Sequence, residues 1–307
     1  MKIAVMGTGG VGGYFGARLA ASGQDVHFIA RGPHLAAIRA NGLRVKSDAG
    51  DVTIKPAQAT DDPADIGPVD IVLFAVKLYD TDSAGRMLAP LIGPETGVVD
   101  LQNGIDGEDE LAAIVGREHV VGGVAYLSAH IGEPGVILHV GKGAKLAFGE
   151  LGGRRSSRVE ALAAACAAAG IKHEVSGNIE AASWSKLAML ASMSALSCLT
   201  RLPVDQAVRE PETADLFRAA MKEVADVAAA KGVTLPGDAL AGFNAVTRGG
   251  SNIRPSMLVD LERGKPLELD RLSGAVVRAG AEVGVPTPFH SMALALLKPF
   301  VKGGPAA

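Results

Sequence analysis

The chain has 307 residues, a formal net charge of −3 and a pI near 6.2, and this length suits two domains that each bury a core. The weak acidic balance, the lack of a dense Lys/Arg run and an aromatic content of 4% argue against nucleic acid as the main partner and favour a small-molecule ligand. Cys166 and Cys198 are the only cysteines and lack a C-x-x-C spacing, so a reducing cytoplasm is favoured over a disulfide framework.

The chain starts with an apolar segment, "MKIAVMGTGGVGGYFG", that superficially resembles a secretion signal. Its glycines would break the helix of such a signal, so we interpret the segment as part of the folded protein. No stretch of about 18 residues is apolar enough, without charges or turn residues, to span a bilayer. We therefore expect a soluble protein without a membrane partner.

The first half of the chain alternates short β-branched runs with amphipathic helical stretches, which is typical of a parallel sheet covered by helices. The clearest strands are "KIAVMG", "DVHFIA", "DIVLFAV" and "GVVDLQ", and helices are predicted in "VGGYFGARLAASG" and "HLAAIRANG". A hairpin in "LRVKSDAGDVTIK", a β-rich segment from Val120 to Phe148, a helix in "RVEALAAACAAAG" and a strand in "IKHEV" extend this domain.

After Val175 the pattern is helical, with proline turns between the helices. The sequence therefore predicts an α/β fold in which a Rossmann-type dinucleotide-binding domain, residues 1–176, precedes an all-helical domain, residues 177–307.

The loop "GTGGVG" follows an apolar strand, opens a helix and has G-x-G-x-x-G spacing. Its first glycine permits a tight turn, its second lets a pyrophosphate approach the backbone, and its third allows close packing of helix on strand. The flanking strand and helix disfavour the alternative, a glycine turn in an unrelated α/β protein. We assign the dinucleotide contacts of this loop to Gly7, Thr8, Gly9, Gly10, Val11 and Gly12.

The second strand ends in "FIARGPH", where an NAD site would need an acidic side chain for the ribose 2′-hydroxyl. Asp25 lies at the wrong end of this strand, whereas Arg31 is placed to pair with the 2′-phosphate of NADP. The sequence thus favours NADPH, and the alternative is that Arg31 is a solvated loop residue.

One charged residue, Lys186, interrupts the apolar run "ASWSKLAMLASMSAL". A helix that is apolar on nearly all sides is normally buried, where an ammonium group is costly without a partner. Lys186 either extends its charge to water, the more common arrangement, or lines a polar cleft. Lys77 in "FAVKLYD" and Asn103 in "DLQNGID" follow predicted strands at the sheet edge where α/β proteins bind ligands.

Six segments in order, "GTGGVG", "VKLYD", "LQNGID", "SWSKLAM", "PSMLVDLERGKPLELD" and "VPTP", resemble the ketopantoate reductase (2-dehydropantoate 2-reductase) family over nearly the whole chain. The resemblance implies a Rossmann domain, a helical domain and reduction of a 2-keto acid with NADPH. It implies that Lys186 is the catalytic lysine, that Ser256 contacts the substrate and that Glu268 contacts the cofactor. Arg31, Lys77 and Asn103 correspond to further cofactor contacts.

Both Ser256 and Glu268 have structural alternatives. Ser256 is placed to cap the helix that begins in "MLVDLERG", and Glu268 follows Pro266 in a first helical turn, where the helix dipole favours an acid.

This sequence departs from the family on the helix of Lys186. The family has asparagines that bind the substrate four and eight residues after the lysine, whereas this chain has Leu190 and Ser194. Leu190 removes a donor and an acceptor, which counts against ketopantoate itself but not against reduction of a 2-keto acid. We therefore expect ketopantoate or a related 2-keto acid as the substrate, with Ser194 as a further substrate contact.

Three functions stay open: this reductase, a β-hydroxyacid dehydrogenase of similar architecture, and a dinucleotide sensor without catalysis. Retention of Lys186 and Glu268 disfavours the sensor. The histidines are scattered without metal-ligand spacing, so no metal site is predicted, and the alanine-rich helices are compatible with a homodimer.

Overall fold

The computed structural model describes residues 1–236 and 252–304. The described chain forms two compact units. The first consists of residues 1–102 and 107–179, and the second consists of residues 103–106 together with the described residues from 180 onward. The short loop at 103–106 therefore groups with the second unit, although the strand before it belongs to the first.

The first unit is built on one mixed, 10-stranded sheet. Its strands are β1 (Lys2–Met6), β2 (Asp25–Ile29), β3 (Leu43–Ser47), β4 (Val52–Ile54), β5 (Gln58–Thr60), β6 (Ile71–Phe74), β7 (Gly97–Asp100), β8 (Val120–Glu133), β9 (Val136–Glu150) and β10 (Lys172–Val175). They lie in the order β4-β3-β9-β8-β7-β6-β1-β2-β5, and β10 also pairs with β9.

The Rossmann part of this sheet runs from β7 to β5, where every neighbouring pair is parallel. The predicted "LRVKSDAGDVTIK" hairpin forms as the antiparallel pair of β3 and β4, and the predicted β-rich segment forms the antiparallel pair of β8 and β9. The fold class is therefore confirmed, with a sheet that is mixed beyond its parallel half.

The helices of the first unit are α1 (Gly10–Ala21), α2 (Gly32–Asn41), α3 (Thr81–Arg86), α4 (Gly107–Val115) and α5 (Ser157–Ala168). Strand side chains alternate between the two faces of the sheet, so a central strand contributes to two cores. In β1, Ile3 and Val5 belong to the core that includes Phe15 of α1, whereas Ala4 and Met6 belong to another core. This double burial explains why the central strands are nearly continuous apolar runs.

The second unit contains the described helices α6 (Ile179–Thr200), α7 (Val204–Ala207), α8 (Pro211–Ala230), α9 (Ser256–Glu262), α10 (Ser273–Val283) and α11 (Pro288–Leu297). Helix α6 contributes to two cores: Leu187 and Ala191 belong to one, and Ala195 and Leu196 belong to the other. Two covered faces account for a helix sequence that is apolar on nearly every side.

Polar groups are also buried in the second unit, where Glu223 of α8 caps α11. Its carboxylate accepts hydrogen bonds from the backbone N–H groups of Phe289 at 2.7 Å and His290 at 3.1 Å. The fully buried His290 ring has its Nε2 3.1 Å from the Ala220 carbonyl oxygen and its Nδ1 3.2 Å from the Ser273 hydroxyl. Burial lowers the pKa of His290 to about 4, so this histidine is neutral at physiological pH.

Candidate active site

The glycine loop lies between β1 and α1, and three of its glycines are required by the fold itself. Gly7 has a φ of +97°, and a Cβ there would lie 2.8 Å from the backbone nitrogen of Val76. A Cβ at Gly10 would lie 2.1 Å from the Ala129 carbonyl oxygen, and one at Gly12 would lie 2.3 Å from the Gly7 carbonyl oxygen. These close approaches hold the loop against the end of β6 and against β8.

Gly9 differs from these three because neither packing nor conformation requires a glycine. Its φ is −86°, and no described atom beyond its chain neighbours lies within 4 Å of an added Cβ. Gly9 is the N-cap of α1, whose first backbone N–H groups favour an anion. An open glycine face at a helix N-terminus fits the pyrophosphate of a dinucleotide.

Thr8 and Val11 complete the loop. Thr8 is buried, and its backbone N–H and its hydroxyl both donate to the Ile29 carbonyl oxygen, at 3.1 and 2.9 Å. Val11 is partly buried and packs on the core of the first unit. The loop is thus anchored to the end of β2 on one side and to the core on the other.

His34 of α2 supports the loop from outside. Its Nε2 lies 2.9 Å from the Thr8 carbonyl oxygen, and its Nδ1 accepts a hydrogen bond of 3.0 Å from the backbone N–H of Gly135. Burial is the main cause that lowers the pKa of His34, and the hydrogen bond to Thr8 opposes it. These contacts join the glycine loop, α2 and the turn between β8 and β9.

Arg31 follows β2 and forms an ion pair that the sequence did not suggest. Its Nη2 lies 3.1 Å from Oδ2 of Asp80, with 74% of the arginine side chain and 29% of the aspartate side chain exposed. The end of β2 itself lacks an acid, as the sequence indicates, but Asp80 brings a carboxylate beside Arg31 from another strand end. Asp80 comes from the turn after β6, and β1, which pairs with both β2 and β6, brings the two strand ends together.

Lys77 follows β6 at the same edge of the sheet and is partly exposed. Gln102, at the end of β7, supports the backbone beside it: its side-chain amide donates to the Val76 carbonyl oxygen at 3.1 Å and to the Thr81 hydroxyl at 2.9 Å. The structure thus brings the glycine loop, Arg31 and Lys77 to one edge of the sheet.

Lys186 lies on α6 of the second unit, and its side chain is partly buried. Leu190, one turn later, is also partly buried, whereas Ser194 is fully buried. The Ser194 hydroxyl has no hydrogen-bond partner among the described residues. On this face of α6, Lys186 and Leu190 are therefore partly exposed to solvent, whereas Ser194 is not exposed.

The loop of Asn103 is held within the second unit. Ile105 packs on the core that contains Leu187, and Asp106 pairs with Arg278 at 2.6 Å. A Cβ at Gly104 would lie 3.1 Å from the carbonyl oxygen of Arg271. Asn103 is partly exposed, and the three residues that follow it are held in place by these contacts.

Glu268 is linked to this loop through Arg271: the backbone N–H of Arg271 donates to the Glu268 carbonyl oxygen at 3.1 Å, and the Arg271 carbonyl oxygen lies beside Gly104. The Glu268 residue is only 6% exposed and precedes a 3₁₀ turn, Leu269–Arg271, that leads into α10. Ser256 is the exposed first residue of α9, and Pro255 holds the N-cap position without a side-chain cap bond. The alternative that Ser256 caps this helix is wrong.

Sequence reasoning missed three residues that shape the site: His34, Asp80 and Gln102. Each of them lies within a quoted motif, "FIARGPH", "FAVKLYD" or "DLQNGID". Their position at C-terminal strand ends was the available signal. Their contact partners are distant along the chain, so no short sequence pattern predicts the individual contacts.

Together, the Rossmann sheet and the glycine loop define a dinucleotide-binding protein, to which a helical second unit is joined. The family model for ketopantoate reductase PanE/ApbA matches residues 3–153, and the model for the C-terminal part of ketopantoate reductase PanE/ApbA matches residues 178–301. The chain belongs to the ketopantoate reductase (2-dehydropantoate 2-reductase) family.

Individual relatives agree with the family models. The chain is 35% identical to a 2-dehydropantoate 2-reductase of Mesorhizobium japonicum, with 97% of each chain covered. A PanE/ApbA family ketopantoate reductase from Ralstonia eutropha superposes with a TM-score of 0.89 at 36% identity, over 98% of each chain. A 2-dehydropantoate 2-reductase from Geobacter metallireducens superposes with a TM-score of 0.90 at 33% identity, over 97% of this chain and 99% of that one.

Among the described helices, none is long and apolar enough to cross a membrane. Within residues 1–236 and 252–304, no group of three histidine, cysteine, aspartate or glutamate side chains is arranged to hold a metal ion.

Proposed function

We propose that this protein reduces 2-dehydropantoate or a related 2-keto acid to the 2-hydroxy acid with NADPH, and that Lys186 is the general acid. One observation carries the proposal: this member of the family combines a glycine loop that is open at Gly9 with a partly buried Lys186 on an otherwise apolar helix. The first feature supports dinucleotide binding, and the second supports chemistry on a carbonyl.

The residues that would hold the cofactor follow from their chemistry. We assign the pyrophosphate to Gly7–Gly12, because the open face at Gly9 and the N-terminus of α1 suit an anion. We assign the 2′-phosphate of NADPH to Arg31, and further contacts to Lys77, Asn103 and Glu268. When bound, the reduced nicotinamide supplies the hydride for the reaction.

Lys186 then acts on the carbonyl oxygen of the substrate. Reduction of a ketone builds negative charge on this oxygen, and a positioned ammonium group both stabilises that charge and donates the proton that completes the alcohol. Partial burial strengthens the electrostatic interaction, because water screens it less. Partial exposure lets the lysine regain a proton from solvent for the next turnover.

We assign substrate contacts to Ser256 and Ser194. Ser256 is exposed at the start of α9. The Ser194 hydroxyl is fully buried and lacks a partner among the described residues, so it would contact a polar substrate group only if α6 opens at this position. Leu190 offers no hydrogen bond at the partly exposed position between Lys186 and Ser194. This favours a 2-keto acid with a more apolar substituent than that of ketopantoate.

Oxidation of NADPH over a panel of 2-keto acids tests the proposal. The panel should contain ketopantoate and its deoxy analogue 3,3-dimethyl-2-oxobutanoate, which differ in one hydroxyl group. Turnover of any 2-keto acid supports the reductase. Oxidation of 3-hydroxy acids alone would instead identify a β-hydroxyacid dehydrogenase, and tight NADPH binding without turnover would identify a sensor.

The cysteines support a cytoplasmic site of action. Cys166 and Cys198 are both free and buried, and burial raises the pKa of each thiol to about 12. Thiols of this kind are kept as core residues in a reducing compartment.

A further inference from the structure

We propose that Asp80 sets the selectivity of this protein between NADPH and NADH, by competing with the 2′-phosphate for Arg31. The proposal rests on the proposed dinucleotide-dependent function. It adds a role for Asp80, which has none when Arg31 alone is assigned to the 2′-phosphate.

The geometry shows which partner of the pair is fixed. The backbone N–H of Asp80 donates to the Lys77 carbonyl oxygen at 2.8 Å, and the Asp80 carbonyl oxygen accepts a bond of 3.0 Å from the Ser83 hydroxyl. The Asp80 side chain is 29% exposed, whereas 74% of the Arg31 side chain is exposed. The backbone of Asp80 is thus held in place and its side chain is mostly buried, whereas the Arg31 side chain is mostly exposed and is the partner with freedom to move.

This arrangement acts against a 2′-phosphate in two ways. The phosphate must share the Arg31 guanidinium with a carboxylate that already lies 3.1 Å from it. A phosphate that reaches Arg31 also approaches the negative charge of Asp80, and like charges repel.

The same arrangement suits the ribose of NADH. Its 2′-hydroxyl is a hydrogen-bond donor, and a carboxylate is the acceptor that Rossmann proteins use for it. Asp80 therefore supplies, from the turn after β6, the acid that the end of β2 lacks. With Asp80 beside Arg31, the ratio of NADPH affinity to NADH affinity is lower than it would be with Arg31 alone, and NADH is also accepted as a cofactor.

The ion pair contributes little to folding, because exposed ion pairs of this kind are weak. Asp80→Asn is therefore expected to fold, and its effect should appear in binding. Asp82 is a matched control: it lies two residues further on α3, and its carboxylate pairs with Arg86 at 2.9 Å instead of with Arg31. Asp82→Asn makes the same change of charge without touching the Arg31 pair.

The experiment measures dissociation constants by calorimetry for NADPH, NADH, 2′,5′-ADP and 5′-AMP. The proteins compared are the natural chain, Asp80→Asn, Asp82→Asn, Arg31→Ala and the double variant of Arg31 and Asp80. Asp80→Asn should bind NADPH and 2′,5′-ADP roughly fivefold more tightly, as expected for a screened interaction between exposed charges, and NADH less tightly. The gain for NADPH should shrink in the Arg31→Ala background and at high salt, whereas Asp82→Asn should resemble the natural chain.

An unchanged ratio of NADPH to NADH affinity in Asp80→Asn would overturn the proposal. Equal losses for both cofactors would also overturn it, because they would show that Asp80 only positions the turn after β6. A natural chain that binds neither cofactor would contradict the proposed function itself, which keeps the two failures distinct.

Discussion

The Nε2 of His34 donates a hydrogen bond to the carbonyl oxygen of Thr8, over 2.9 Å, while its Nδ1 accepts one from the N–H of Gly135 over 3.0 Å. A carbonyl requires a donor and an amide N–H requires an acceptor, so these partners select the neutral Nε2–H tautomer. The glycine loop is therefore supported by one uncharged imidazole that reaches two other elements.

Removal of His34 should loosen the glycine loop. We expect His34→Ala to weaken NADPH binding roughly fivefold, the effect of about 1 kcal/mol from a lost hydrogen bond. His34→Gln should retain most of the natural affinity, because its amide nitrogen can donate and its amide oxygen can accept, and these two atoms lie about as far apart as the two ring nitrogens of histidine. Titration of cofactor fluorescence in the three proteins tests this, and equal affinities in all three would contradict the role of His34.

Gly9 should matter for binding and not for folding. We expect Gly9→Ala to weaken NADPH binding about tenfold or more, because the methyl group occupies the face that the pyrophosphate approaches. Its melting temperature should stay equal or rise slightly, since the backbone conformation suits alanine and the unfolded chain loses freedom.

Gly177→Ala is the matched control for Gly9→Ala. Gly177 also lies outside the left-handed region, and a Cβ there likewise has no described atom within 4 Å. This variant should keep both stability and affinity. A Gly9→Ala protein that binds NADPH as the natural chain does would contradict the assignment of the loop.

The buried His290 should make stability depend on pH. The pKa of His290 is lowered from its ordinary 6.5 to about 4, so between these values the unfolded chain holds a proton that the folded chain lacks. The free energy of unfolding is then fully retained above pH 6.5 and falls as the pH drops toward 4, by up to about 1.4 kcal/mol per pH unit.

His290→Gln keeps a donor for Ala220 and an acceptor for Ser273 but does not titrate. Burial raises the pKa of Glu223 above its ordinary 4.5, which adds a slope of opposite sign, so the comparison of the two proteins isolates the histidine. Urea denaturation of both at pH 7 and pH 5 measures the difference. A parallel pH dependence in the two proteins would show that His290 does not contribute.

Much of the fold was predictable because the signals were local. Short patterns of neighbouring residues predict the strands and helix ends: apolar runs mark β1, β6 and β7, and a glycine follows each of the helices α1 and α2. The order of strands beyond β8 was not predictable in this way. Strand β9 pairs with β8, β3 and β10 through contacts that no short sequence pattern specifies.

The site divides in the same manner. The glycine loop was predictable from spacing, whereas Arg31 and Asp80 are separated by 49 positions, and His34 and Gly135 by 101. The sequence shows which polar residues follow a strand, and the order of strands in the sheet decides which of them meet. The absence of an acid at the end of β2 was read from one strand alone, and the neighbouring strand end supplied the acid.

Lys186 is central to the proposed chemistry, and its substitution separates catalysis from structure. We expect Lys186→Ala to fold and to bind NADPH nearly as the natural chain does. A lysine that instead neutralised a buried carboxylate would, when removed, cost about 3 to 5 kcal/mol of stability. Lys222→Ala is a control, since Lys222 is an exposed lysine on α8 that pairs with Asp226.

The most direct test is the single-turnover rate of NADPH oxidation when enzyme loaded with NADPH is mixed with its best 2-keto acid. Lys186→Ala should lower this rate roughly 100-fold or more, because the developing oxyanion loses its donor. Lys186→Arg should also be slow, since a guanidinium keeps the charge but does not release a proton at neutral pH. A Lys186→Ala enzyme that melts normally and reduces the keto acid at the natural rate would contradict the account.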